Sequence, residues 1–81
     1  MTDRRHRRRT PEQALGLAIC ELRKERGVTP IELAWKADLS ERTLNAVEKG
    51  QRVAQWGTLR RIAHALNVPL WRLLTEAEKR E

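Results

Sequence analysis

Apolar residues recur at helical spacing in five separate stretches, and polar start and stop signals divide them. Thr10, Pro11 and Gln13 form the first start: a capping hydroxyl, a proline at the first helical position, and a glutamine that completes a capping box. Leu15, Ala18, Ile19 and Leu22 then share one face. They predict a helix over residues 11–26, stopped by Gly27. Thr29, Pro30 and Glu32 repeat the starting device and open a short helix over residues 30–37. Leu33, Ala34 and Ala37 form its inner face, while Ile31 and Trp35 lie one turn apart on nearly the opposite side. Asp38 occupies the turn that follows, a position where Asp tolerates left-handed geometry less well than Gly.

Ser40 caps a third helix over residues 41–49, and Gly50 ends it. Its back carries Leu44, Val47 and Glu48. Its front holds Asn45, Ala46 and Lys49, all within roughly 60° of Arg42. A fourth helix over residues 56–66 turns Leu59, Ile62, Ala63 and Leu66 inward, with Trp56 expected to plug the open end of the core. Asn67 can end that helix. Pro69 starts a last short one, packing back through Leu70, Leu73 and Leu74, and the charged residues after Thr75 are expected to fray.

Residues 29–50 thus read as a helix-turn-helix. The second of its helices has one apolar face for a core and one polar face left free. A short helix fronted by Arg, Asn, Ala and Lys suits a DNA major groove about 12 Å wide.

Composition fits this picture. Eighty-one residues make one small domain. Phe and Tyr are absent, and the three Pro and every Gly but Gly16 fall at helix ends, so the fold class is all-α. The organisation is a flexible Arg-rich arm (1–10), a helix-turn-helix domain (11–75) and a charged C-terminal tail (76–81). The lone Cys20 cannot form an internal disulfide, which fits a reducing cytoplasm. No apolar run is long enough to span a membrane. Of the net charge of +6, residues 1–10 supply +4 from five Arg and one Asp, leaving +2 for the body. Arg4, Arg5, Arg7, Arg8 and Arg9 are candidates for an arm that tracks phosphates or enters a minor groove; the plainer alternative is a solubilising tail. His6 and His64 lack metal-ligand company, and there is no nucleophile–base pair or glycine-rich phosphate loop. The chain therefore does not read as an enzyme, and neither a metal nor another cofactor is implied.

A set of short motifs runs in order across residues 15–74: Leu22-Arg23, Leu33-Ala34, Leu39-Ser40, Thr43-Leu44, Val47-Glu48-Lys49-Gly50, Thr58-Leu59, Ile62-Ala63, Ala65-Leu66-Asn67-Val68 and Leu73-Leu74. In that order and spacing the chain resembles the Xre-type, lambda-repressor-like helix-turn-helix family. The resemblance implies a five-helix bundle and a DNA-binding transcriptional regulator, either a repressor or the antitoxin-like half of a pair. It implies double-stranded DNA as partner, a weak homodimer, and a bacterial or phage-type cytoplasmic setting. By position, Glu41, Arg42, Asn45 and Ala46 would contact bases. By chemistry, Arg42 suits guanine, Asn45 adenine, Glu41 cytosine and Ala46 a thymine methyl. Thr29, Ile31 (through its amide), Thr43, Lys49, Arg52 and Thr58 would contact phosphates. Similar domains also pair the positions of Arg23 and Glu48 in a structural salt bridge.

Four positions depart from the family pattern. Pro30 stands where glutamine is usual, Asp38 where the turn is usually Gly, and Ala54 where Pro is common. Ile31 and Trp35 replace polar residues on the outer side of the second helix. The second functional reading follows from the last departure: a protein-interaction module whose interface uses Ile31 and Trp35, or Trp71, which lies off the inward stripe of the last helix.

Overall fold

The computed structural model describes residues 8–81. Arg4, Arg5 and Arg7 therefore lie outside the described residues. Five helices follow in order: α1 (Pro11–Glu25), α2 (Pro30–Lys36), α3 (Glu41–Glu48), α4 (Trp56–Ala65) and α5 (Leu70–Lys79). Both capping boxes close. Thr10 and Gln13 exchange bonds at the start of α1, as do Thr29 and Glu32 at the start of α2, and each helix has its proline in the first turn. Ser40 Oγ accepts from the Thr43 amide at the start of α3. Gly27 and Gly50 end α1 and α3 with positive φ, and Asp38 and Asn67 take the same left-handed conformation at 59° and 61°.

The largest fully buried side chains include one from each helix: Ile19, Leu33, Leu44, Ile62 and Leu73. Small residues let the helices approach closely. Gly16 of α1 lies against the backbone of α3, where an added Cβ would stand 2.4 Å from the Val47 carbonyl oxygen and 2.5 Å from that of Glu48. The axis of α3 is thereby set against α1 by direct backbone contact rather than through intervening side chains.

Three sequence-based expectations need correction. Trp56 does not plug the core; it is 65% exposed. At about 100° per residue it falls roughly 70° from the centre of the Leu59, Ile62, Ala63 and Leu66 stripe, on the flank of α4. Leu74 does not pack back with Leu70 and Leu73. The inward stripe of α5 continues to Ala77 instead, and Leu74 is left 38% exposed. Finally, the chain after Thr75 is helical through Lys79. Buried Ala77 holds it, as does Arg80, which bonds to Glu21 of α1 at 2.6 Å and to Glu76 at 2.9 Å.

Two of these local devices are acid-sensitive. The Glu32 carboxylate is held below its ordinary value of 4.5 chiefly by the Thr29 backbone amide. That of Glu76 is held down chiefly by its hydrogen bonds with Arg80. A carboxylate whose folded pKa lies below its unfolded value adds stability above the unfolded value, and the gain is lost as pH falls through the folded one. Carboxyl-carbon NMR titration should place both groups below the ordinary value. Exchange protection of the Thr29 amide should fall over the same pH range as the Glu32 titration. Titration of Glu32 at 4.5 with unchanged protection would contradict the assignment.

Candidate nucleic-acid interface

The free face of α3 carries the sequence-derived base-reading residues. Glu41, Arg42 and Asn45 are exposed and Ala46 is half-buried. Glu41, Arg42 and Asn45 share a shallow depression with Pro30 of α2. The small Ala46 side chain lets the helix front lie close to whatever it meets. Behind it, Leu44 and Val47 are buried and fix the rotation of the helix about its axis.

The residues assigned to phosphates fall on both sides of this front. Thr29 and Ile31 lie at the start of α2, both exposed. The Thr29 hydroxyl and amide are already engaged in the capping box, and Pro30 has no amide hydrogen, so Ile31 offers the first free amide of α2. On the other side, Thr43, Arg52 and Thr58 line one depression between α3 and α4. The Thr43 oxygen accepts from Ser40 Oγ at 2.9 Å, which leaves its own hydrogen to donate. Lys49, at the end of α3, is exposed. The start of α4 has neither a capping side chain nor an acid in its first turn, so its amides and dipole favour an anion. Of the arm residues, Arg8 and Arg9 are exposed, and Arg9 donates to the Arg80 carbonyl at 3.0 Å. That bond draws the root of the arm toward the end of α5.

Arg23 and Glu48 lock this face to the rest of the bundle. Arg23 Nε donates to Glu48 Oε2 at 2.9 Å and Nη2 to Oε1 at 3.3 Å, with both side chains only 10% exposed. Arg23 Nη1 donates to the Val28 carbonyl at 3.1 Å. One guanidinium therefore ties α1 to the end of α3 and to the loop before α2. The hydrogen bond with Glu48 raises the Arg23 pKa against the opposing effect of burial, so the guanidinium stays charged.

Sequence reasoning averaged the charge of the body and missed its segregation. Between Glu48 and Glu76 there is no acidic residue, while Lys49, Arg52, Arg60, Arg61 and Arg72 give that stretch +5. The acids gather on the other helices. A running charge count along the chain, rather than a total, carries that signal. Arg61 was also missed: its Nε donates to the Ala37 carbonyl at 2.9 Å, closing the end of α2 onto α4.

A family model described as a helix-turn-helix domain matches residues 4–74. Among solved structures, the clp gene regulator ClgR from Corynebacterium glutamicum superposes with a TM-score of 0.87 at 30% identity, over 90% of this chain and 94% of that one. The restriction-modification controller protein C.AhdI from Aeromonas hydrophila gives a TM-score of 0.74 at 28% identity, over 75% of this chain and 92% of its own. The controller protein C.Esp1396I shares the fold, with a TM-score of 0.77 at 21% identity over 90% and 97% of the two chains. A search of curated proteins gives no significant match.

Proposed function

The chain belongs to the helix-turn-helix domain family, and we propose that it is a sequence-specific DNA-binding transcriptional regulator that lays α3 into the major groove. The observation that carries this reading is the free face of α3. Arg42 and Asn45 stand exposed on a helix whose back is buried and whose two flanks present hydroxyls, free amides and cations. That ClgR is a gene regulator and C.AhdI a restriction-modification controller supports a regulatory role. Glu41, Arg42, Asn45 and Ala46 read bases. Thr29, Ile31, Thr43, Lys49, Arg52 and Thr58 position the backbone, and the arginines of the arm add sequence-independent affinity. The protein works in the cytoplasm, as a repressor or as the antitoxin-like half of a pair. Among the described residues, no helix is long and apolar enough to cross a membrane.

Electrophoretic shifts test the division of labour. Arg42→Ala is expected to cost about 1–3 kcal/mol on the preferred site and to relax specificity at one base position. Lys49→Ala should weaken all sequences about equally and flatten the salt dependence by about one unit of slope. Equal losses on preferred and unrelated duplexes for Arg42→Ala would remove it from the base-reading set.

The protein binds as a symmetric homodimer through α5. Trp71 is 68% exposed and Leu74, one turn on, is 38% exposed, forming an apolar strip beside the inward stripe. A two-fold pair suits half-sites about one DNA turn apart. Sedimentation equilibrium should find a weak dimer that Trp71→Ala converts to monomer. A monomer at every accessible concentration, even on DNA, would exclude this interface.

A further inference from the structure

We propose that the groove between α2 and α4 docks an acidic peptide segment of a partner protein, one that carries an aliphatic or aromatic anchor among its carboxylates. The groove has a volume of about 420 Å³ and is lined by Lys36, Trp56, Gly57, Arg60, Arg61 and His64. No acid lines it. Lys36, Arg60 and Arg61 have no carboxylate within ion-pair distance among the described residues. The bond from Arg61 Nε to the Ala37 carbonyl fixes that guanidinium in place, and its terminal nitrogens remain available to a carboxylate.

One large apolar side chain belongs to the same lining: Trp56 is 65% exposed. An indole left in water among three cations calls for a partner side chain to cover it.

Gly57 adds an independent observation. Its φ is not in the left-handed region, and a Cβ built on it would meet only Arg61 Nη1, at 4.0 Å. Neither backbone conformation nor internal packing requires glycine there, although glycine in a helix is disfavoured by about 1 kcal/mol relative to alanine. The missing side chain leaves the floor of the groove open to close approach.

These features favour a peptide over nucleic acid. The residues facing the major groove line a different depression, with no member in common. A phosphate backbone would satisfy the cations but would leave the Trp56 indole in water.

Fluorescence anisotropy with the full chain tests the proposal. One labelled synthetic peptide carries glutamates around a leucine and a phenylalanine; a control peptide has serine at both anchors. The expected result is saturable, salt-weakened binding of the first peptide and about tenfold weaker binding of the control. Trp56→Ser and Arg60→Gln should each lower the affinity for the first peptide by about tenfold. Arg60→Gln should retain the melting temperature and the affinity for a duplex enriched from random DNA. Equal binding of both peptides would reduce the groove to counter-charge attraction and overturn the proposal, as would no binding at all. Loss of duplex affinity by Arg60→Gln with no effect on peptide binding would assign the groove to DNA. The peptide measurement stands even if no duplex is enriched, so failure of the DNA-binding reading and failure of this proposal are distinguishable.

Discussion

Replacing Glu48 by alanine is expected to destabilise the domain by about 3 kcal/mol, the low end of the range for breaking a buried ion pair. The low end is chosen because each partner keeps 10% of its side-chain surface exposed. The loss arises less from the missing attraction than from the charge left behind. Arg23 would stay in a nearly dry site with its Nε donor unmet and Nη2 left only its 3.6 Å contact with the Cys20 sulfur, beside the Nη1 bond to the Val28 carbonyl. For a domain of this size each kcal/mol moves the melting temperature by about 4–8 °C, so a fall of about 12–24 °C is expected in thermal melts. Replacing both partners, Arg23→Met with Glu48→Leu, should recover most of it, because no charge is then stranded. A loss below about 1 kcal/mol for Glu48→Ala would mean that the pair behaves as a solvated surface bridge.

The second large effect is expected from Gly16→Ala. Alanine is the better helix former by about 1 kcal/mol, so propensity alone predicts a gain. Packing reverses the sign. The new Cβ would fall 2.4–2.8 Å from carbonyl atoms of Val47 and Glu48, and these are backbone atoms of a helix that cannot rotate aside. Overpacking costs about 1–3 kcal/mol, and here the upper end applies because α1 and α3 must separate as a whole. A net loss of about 2 kcal/mol should appear in urea unfolding, with the slope against denaturant unchanged. DNA affinity should fall as well, since the same shift re-aims α3. A stability equal to or above that of the parent would refute the close approach of α1 and α3.

The elements were legible because their punctuation is local. Two Thr-Pro starts with Gln13 and Glu32 in box positions, Ser40, Gly27 and Gly50 each act within four residues, and each shows the expected geometry. Glu48 stands on the apolar side of α3, so its need for a cation was readable from periodicity; that Arg23 supplies it came from the family resemblance. What stayed hidden depends on distant chain. Leu74 lies off the core because the buried stripe of α5 runs through Leu73 to Ala77. Arg80 orders the last turns through Glu21, 59 residues away. Trp56 carries a core-like side chain on a helical position at the edge of the stripe, and only the assembled bundle shows that it is left mostly exposed.

The helix-turn-helix itself divides between two tasks. Its second helix, α3, turns Arg42 and Asn45 outward on a buried back. Its first helix keeps Leu33 and Ala34 in the core, exposes Ile31 and Trp35, and contributes Lys36 to the cationic groove. The α3 depression and the groove share no lining residue, although Trp56 and Gly57 of the groove also begin the α4 turn whose amides favour an anion.

Selection from a random duplex library, followed by sequencing, tests the central claim most directly. The account predicts an enriched palindrome with half-sites about one helical turn apart. Each half-site should hold a guanine whose enrichment disappears for Arg42→Ala while the rest of the motif persists. No enrichment at low salt, or an identical motif from the parent and the Arg42 variant, would contradict it.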